Sequence, residues 1–239
     1  MHRFYAPPKS ISNKTVSLGA DETRHLRDVL RLKPGDDVSV FDGKGREFAS
    51  RIALISKNTA ELSIDREIEP SSKESPLDLR LAVSMLKGEK FDLVVQKAVE
   101  LGVRSLLPIR TARTEVRSKD SATRVIRWRK IALEASKQSG RAFLMTVEEP
   151  IDFEMLLSSA NPRECILFAE RYGEKFPKRV STKKLTAIVG PEGGWEDIEL
   201  AAARSGGIDI VTLGGRIMRA ETAAIAVAAI LQNRFGDVN

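Results

Sequence analysis

Cysteine and histidine are nearly absent from this chain of 239 residues, which has one cysteine and two histidines. A single cysteine excludes an internal disulfide and a cysteine cluster. The two histidines, His2 and His25, do not indicate a histidine-based metal site, so we expect no metal. Cys165 lies in an apolar stretch and is predicted to be a buried core residue.

Long hydrophobic runs are also missing. No apolar run approaches the roughly 20 residues that a membrane-spanning helix requires, and the first residues have no signal-peptide core. We therefore expect no membrane partner and a cytoplasmic location. The hydrophobic content of 42% is sufficient for a core, and the length suits one large domain or two smaller ones.

The usual phosphate-binding motifs do not occur, since the chain has neither a Gly-Lys-Ser/Thr sequence nor a G-x-G-x-x-G pattern. Two other glycine-rich turns do occur, GPEGGW at residues 190–195 and LGGRIMRAET at residues 213–222. Each follows a predicted buried strand and precedes a predicted helix. In open α/β sheets such loops meet at one edge of the sheet, where ligands bind. We predict a ligand site formed by both turns.

The charge of the first turn narrows the choice of ligand. Glu192 lies in the turn, and Glu196, Asp197 and Glu199 follow in the first helical turns. Carboxylates are favourable at a helix N-terminus but would repel a phosphate there. A neutral or cationic small molecule fits better, and S-adenosylmethionine has a sulfonium, an ammonium and no phosphate. The alternative is that both turns are ordinary helix caps.

The positive charge of the chain is concentrated in one segment. The net charge is +6, yet residues 104–141 hold eleven basic and three acidic residues, a local charge of +8, so the remainder is slightly acidic. The segment also contains Trp128, which could stack on a base. This pattern predicts contact with a nucleic acid. The alternative is a solvated basic helix face.

The pattern of apolar and polar residues along the chain changes near residue 72. Before it, short alternating runs at residues 37–41, 47–52 and 60–64 predict a small β-barrel or meander, with one helix over 20–32. Residues 69–76 lack apolar side chains, carry two prolines and read as a linker. We predict two domains, residues 1–72 and 73–239.

After the linker, strands and helices alternate, which predicts an α/β fold with a mainly parallel sheet. Strands are predicted at residues 79–86, 105–109, 143–147, 165–169, 185–189 and 208–213, and helices at 90–101, 121–139 and 221–234, with another directly after the first glycine-rich turn. The alanine-rich final helix permits close packing in the core or against a second copy of the chain.

Five motifs in order carry a resemblance to a known family. They lie at residues 25–32 with 40–43, 96–103, 137–141, 190–194 and 213–223. Together they resemble the bacterial 16S rRNA (uracil-N3)-methyltransferase family of the SPOUT superfamily, over nearly the whole chain. In one position the chain departs from the family pattern, because Ala220 stands where a threonine is usual.

The resemblance implies a PUA-like RNA-binding barrel followed by a SPOUT domain whose chain forms a trefoil knot. It also implies a homodimer, S-adenosylmethionine as cofactor, and 16S rRNA, within the small ribosomal subunit, as partner. The implied cofactor-binding residues are Ile188, Val189, Gly190, Pro191, Glu192, Gly193, Gly194, Leu213, Gly214, Ile217, Met218 and Thr222.

The chemistry of uracil suggests catalytic roles. Methylation of N3 requires loss of an imide proton, and the resulting charge spreads over O2 and O4. Arg219 or Arg216 could stabilise that charge, and Glu221 could act as the base or hold the cofactor ammonium, unless it merely caps the last helix. The candidate RNA-binding residues are Arg110, Arg113, Arg117, Arg124, Lys137 and Arg141.

Two other interpretations stay open. A methyltransferase could act on another RNA or another nucleoside position, because the sequence gives no physical basis for choosing the atom. A non-catalytic RNA-binding factor for ribosome assembly would explain the basic segment but would leave the two glycine-rich turns without a function.

Overall fold

The computed structural model describes residues 1–114, 121–171, 173–175 and 183–238. The chain forms two compact units. The first comprises Met1–Glu74 and Ser136–Leu144, and the second comprises Ser75–Ala135 and Met145–Asn239. The predicted domain division at residue 72 stays a prediction.

The first unit is built on a five-stranded mixed sheet. Its strands are β1 (His2–Tyr5), β2 (Thr15–Leu18), β3 (Asp37–Phe41), β4 (Glu47–Ile55) and β5 (Ala60–Ile68). The spatial order is β1-β3-β4-β5-β2, with β1 parallel to β3 and the other pairs antiparallel. Phe4, Val38 and Leu62 lie on the buried face and form the core of this unit. The PUA-like sheet that the sequence predicts is confirmed.

The helix predicted over residues 20–32 is only partly α-helical. Helix α1 covers Ala20–Arg24 and continues as a π-helical turn over His25–Val29. Arg31 then adopts a left-handed φ of 55°. This conformation cannot continue a right-handed helix, so the helical segment ends earlier than the apolar pattern predicts.

The second unit contains a parallel sheet, which confirms the predicted α/β class. Its strands are β6 (Asp78–Ser84), β7 (Ser105–Arg110), β8 (Thr146–Val147), β9 (Ile151–Asp152), β10 (Cys165–Phe168), β11 (Glu174–Lys175), β12 (Lys184–Val189) and β13 (Asp209–Thr212). The order is β11-β13-β10-β12-β6-β7-β8, and β9 also pairs with β7. Strand β8 is shorter than the predicted 143–147, because the Leu144 amide donates to the Gly43 carbonyl oxygen in the first unit's sheet region.

The helices are α2 (Lys90–Glu100), α3 (Ser121–Ser139), α4 (Phe153–Ser159), α5 (Asp197–Ser205) and α6 (Ala220–Phe235). Phe91, Trp128 and Val227 share one hydrophobic core, formed with helices α2, α3 and α6. Phe153 and Leu200 share a second core, formed with α4 and α5. Helix α3 has the predicted bounds, whereas α4 was not predicted.

Among the described residues, no helix is both long enough and apolar enough to cross a membrane. The same residues hold no group of three or more histidine, cysteine, aspartate or glutamate side chains arranged to bind a metal. Cys165 is buried, as predicted, and burial raises the pKa of its thiol.

Candidate functional site

A cleft opens at the carboxyl ends of β10, β12 and β13. These strands are neighbours in the sheet, with β10 between the other two, so the segments that follow them meet at one edge. The cleft has a volume of about 550 Å³, including the space at its open mouth. Its lining residues are Phe168, Ala169, Glu170, Val189, Gly190, Pro191, Trp195, Thr212, Leu213, Gly214, Arg216, Met218, Ala220, Ala223 and Val227.

The first glycine-rich loop, residues 190–196, is held by the Trp195 side chain. Its Nε1 donates a hydrogen bond of 2.9 Å to the Phe168 carbonyl oxygen. The indole also packs on Phe153, with ring centroids 4.9 Å apart. A Cβ atom at Gly190 would lie 2.7 Å from this indole. Only glycine allows the backbone to pass this close to the ring.

A second set of contacts fixes the outer side of the same loop. The buried Glu199 carboxylate accepts hydrogen bonds from the amides of Ala112 and Glu196, at 2.9 and 3.0 Å. The Arg113 guanidinium donates to the Gly193 carbonyl oxygen at 2.7 Å and lies 3.5 Å from the Glu196 carboxylate. Ala112 and Arg113, which follow β7, therefore support the loop after β12.

We expect Trp195→Phe to reduce the stability of the protein by about 1 kcal/mol. Phenylalanine retains an aromatic ring but lacks the Nε1–H donor, so the Phe168 carbonyl oxygen would lose its hydrogen bond. Urea denaturation of the full chain measures the change in the free energy of unfolding. Unchanged stability would mean that water or another donor replaces the indole N–H.

The second glycine-rich loop, residues 213–219, forms the opposite wall. Arg216 and Met218 line the cleft, followed by Ala220 at the first position of α6. Arg219 is exposed at the N-cap of α6 and does not line the cleft. The nearby Glu221 side chain is 9% exposed, and its Oε2 atom is buried without a hydrogen-bond partner. This oxygen is the one carboxylate atom of the described residues left buried and unpaired.

The structure brings together six of the predicted cofactor residues as cleft lining, Val189, Gly190, Pro191, Leu213, Gly214 and Met218. Six others lie outside the lining, Ile188, Glu192, Gly193, Gly194, Ile217 and Thr222. Ile188 is fully buried in the core, whereas Ile217 is 68% exposed. Whether any of these residues binds a cofactor stays a prediction.

Glu192 has a partner of its own. Its carboxylate pairs with the Lys90 ammonium at the start of α2, and this hydrogen bond is the largest cause of the raised pKa of Lys90. Lys90 is therefore charged at neutral pH and connects α2 to the first glycine-rich loop. The sequence motifs gave no signal for this pair.

Sequence reasoning also missed the third wall of the cleft. Phe168, Ala169 and Glu170 line it, because β10 lies between β12 and β13. The strand itself was predicted, but its place in the sheet order was not.

Two candidate RNA-binding residues are engaged in ion pairs within the first unit. The Lys137 ammonium lies 2.5 Å from Glu22 Oε1, and both side chains are about nine-tenths buried. The Arg141 guanidinium donates two hydrogen bonds to Glu74, at 3.0 and 2.6 Å, and its side chain is 3% exposed. Both charges are buried and paired in this structure, and a role of these two residues in RNA contact stays a prediction.

The other four candidate RNA-binding residues are arginines, and those that the structure describes have different surroundings. Arg110 is bonded to Asp152 at 2.6 Å, and Arg113 supports the first glycine-rich loop as described above. Arg124 is half-buried on α3. Arg117 lies outside the described residues. A role in RNA contact stays a prediction for these arginines.

Trp128 is a core residue and is not presented for base stacking. It is 2% exposed, stacks on Phe91 with centroids 4.2 Å apart, and donates from Nε1 to Asp92 at 3.0 Å. We expect Trp128→Phe to leave RNA affinity unchanged while lowering stability by about 1 kcal/mol. Filter binding together with urea denaturation tests both parts. A large loss of RNA affinity in a stably folded variant would contradict the assignment to the core, since loss of a base-stacking aromatic costs about 1–3 kcal/mol.

These features define a class of protein: an α/β domain with a ligand cleft at the carboxyl edge of its parallel sheet, combined with a small β unit. The RNA methyltransferase domain family matches residues 73–232, and the RNA methyltransferase PUA domain family matches residues 18–65. The chain belongs to this family of RNA methyltransferases, which confirms the resemblance drawn from its motifs.

Similar proteins cover almost all of the chain. A ribosomal RNA small subunit methyltransferase E from Synechocystis is 32% identical over 237 residues, covering 96% of this chain and 77% of the relative. The protein of the same name from Rickettsia conorii is 30% identical, covering 95% of this chain and 93% of the relative.

Solved structures agree with these relatives. The ribosomal RNA small subunit methyltransferase E from Neisseria gonorrhoeae, bound to S-adenosyl methionine, matches with a TM-score of 0.91 and 35% identity over 100% of both chains. A putative methyltransferase from Legionella pneumophila, in complex with the same cofactor, matches with a TM-score of 0.90 and 29% identity over 98% of both chains.

Proposed function

We propose that this protein transfers a methyl group from S-adenosylmethionine to N3 of a uridine in 16S ribosomal RNA of the small ribosomal subunit. The observation that carries the proposal is the cleft between the two glycine-rich loops, in a chain of the RNA methyltransferase family. The choice of rRNA is supported by the names of the relatives. The choice of uridine N3 rests on the motif resemblance.

The residues of the cleft fit this cofactor. The wall formed by Val189, Leu213, Met218 and Val227 is apolar and suits an adenine ring. Among the described residues, the cleft lining contains no lysine and one arginine, Arg216, so this lining lacks the donor set of a phosphate site. The cofactor would be held by Val189–Pro191 on one side and by Leu213, Gly214 and Met218 on the other.

Bound S-adenosylmethionine supplies a methyl group that is already activated by the sulfonium. The protein must then lower the free energy of the uracil anion that forms when the N3 proton is lost. Arg216 and Arg219 have no ion-pair partner among the described residues, so their charge is available to a substrate that arrives at the cleft. Two guanidinium groups can donate to uracil O2 and O4 as negative charge develops there.

The N3 proton needs an acceptor, and Glu221 is the candidate. Its Oε2 atom is buried and has no hydrogen-bond partner among the described residues, so it has a free acceptor position for a group of the substrate. The adjacent Lys90 charge acts on the same carboxylate, since the two groups interact electrostatically. We propose that Glu221 receives the proton from uracil N3.

The proposal is tested by methyl transfer from labelled S-adenosylmethionine to small ribosomal subunits that lack the modification, followed by nucleoside mass spectrometry. We expect 3-methyluridine. If the labelled RNA contains a different methylated nucleoside, the methyltransferase activity stands and the choice of uridine N3 is overturned. Absence of both cofactor binding and transfer would favour a non-catalytic assembly factor. A homodimer, a knotted chain path and a cytoplasmic location are further expectations of the same proposal.

A further inference from the structure

Glu170 is a carboxylate in the cleft that the motifs did not indicate. It follows β10 and lines the cleft beside Phe168 and Ala169. Of the lining residues that the structure describes, Glu170 and Arg216 are the two with an acidic or basic side chain. Glu170 is therefore the acidic residue of the described cleft lining.

Three other carboxylates near the first glycine-rich loop are already engaged. Glu192 pairs with Lys90, Glu196 lies beside the Arg113 guanidinium, and Glu199 accepts two backbone hydrogen bonds. Glu170 forms no hydrogen bond or ion pair within the described part of the chain. Its charge is therefore available to a ligand in the cleft.

The Glu170 carboxylate lies beside the first glycine-rich loop. Gly194 has a φ of +73°, and a Cβ atom built on it would collide with Glu170 Oε1. The side chain thus lies directly against the Gly194 backbone, between the segment after β10 and the first glycine-rich loop. Glycine at this position leaves room for the carboxylate at the wall of the cleft.

We propose that Glu170 binds a cationic group of the cofactor, either the sulfonium or the amino-acid ammonium. This inference rests on the proposed binding of S-adenosylmethionine. An exposed carboxylate attracts a cation through a charge interaction that salt screens. Glu170 is thus assigned to binding of the cofactor.

The test is isothermal titration calorimetry of the full chain and its Glu170→Gln variant. Glutamine keeps the size and the hydrogen-bonding oxygen of the side chain but lacks the charge. The probes are S-adenosylmethionine, S-adenosylhomocysteine, which has the ammonium but no sulfonium, and 5′-methylthioadenosine, which has neither cation. We expect about a fivefold weaker affinity for S-adenosylmethionine and no change for 5′-methylthioadenosine.

S-adenosylhomocysteine distinguishes the two cations. A loss for this probe equal to that for S-adenosylmethionine assigns Glu170 to the ammonium, and no loss assigns it to the sulfonium. In both cases the difference between the two proteins should shrink at 0.5 M salt, where the Debye length is only about 4 Å. Glu154→Gln, which removes an exposed carboxylate of α4, is the matched control and should bind all probes like the wild type.

Two results would overturn the inference while leaving the proposed function intact. One is an affinity of the Glu170→Gln variant for S-adenosylmethionine that equals the affinity of the wild-type protein. The other is an equal loss for 5′-methylthioadenosine, which would place Glu170 at the adenosine part. Failure of the wild-type protein itself to bind S-adenosylmethionine would instead reject the proposed function.

Discussion

Arg219→Ala should reduce the rate of methyl transfer by about 10²–10³-fold while leaving the affinity for S-adenosylmethionine near the wild-type value. The physical reason is the position of the Arg219 side chain. Arg219 is exposed at the N-cap of α6, outside the cleft lining, and has no ion-pair partner among the described residues. Its charge is therefore available to a developing anion on the substrate rather than to the cofactor. Single-turnover methylation and calorimetry measure the two quantities separately.

The matched control is Arg163→Ala, which removes an exposed arginine from the short helical turn Pro162–Glu164. It should leave both the rate and the affinity unchanged. Arg219→Lys should recover part of the rate, because it restores the charge but not the planar pair of donors. If cofactor affinity falls in parallel with the rate in Arg219→Ala, the residue belongs to the cofactor site and the catalytic role is wrong.

Gly190→Ala should weaken cofactor binding at least tenfold and lower the melting temperature of the protein. The added Cβ would lie 2.7 Å from the Trp195 indole. That ring is 5% exposed and fixed by its hydrogen bond to Phe168 and its packing on Phe153. Either the ring or the loop must move, and overpacking of this kind costs typically about 1–3 kcal/mol. Calorimetry and thermal unfolding report the two effects.

Gly215→Ala in the second loop is the control for this prediction. A Cβ atom there meets no other atom within 4 Å, and Gly215 does not have a positive φ. The control should therefore melt like the wild type. Wild-type affinity and stability in Gly190→Ala would show that the loop can move away from the indole at no cost.

The elements of the second unit follow closely from the sequence. Apolar runs fixed the positions of β6, β7, β10, β12 and β13, because buried parallel strands are nearly continuous apolar segments. Helix α3 has the predicted bounds. The short strands β9 and β11, of two residues each, could not be predicted, since two residues carry no periodicity.

The basic segment that led to the RNA-binding prediction contains charges whose partners lie far away in the chain. The density of basic residues over 104–141 is real, but it does not reveal which charges are already neutralised. Arg141 and Lys137 find Glu74 and Glu22, which are 67 and 115 residues away in the chain. Trp128 is buried by Phe91 in a similar way. Partners so distant in sequence are set by the tertiary fold.

The sequence by itself determined the α/β class, the two glycine-rich loops and their unsuitability for phosphate, because these depend on local patterns of apolar, glycine and charged residues. The tertiary structure alone decided that β10 lies between β12 and β13, and therefore that Glu170 joins those loops in one cleft. It also decided which carboxylates are engaged and left Glu221 Oε2 buried without a partner. The physical reason is that strand order and side-chain pairing depend on packing between segments far apart in the chain. The local sequence of one segment does not contain this information.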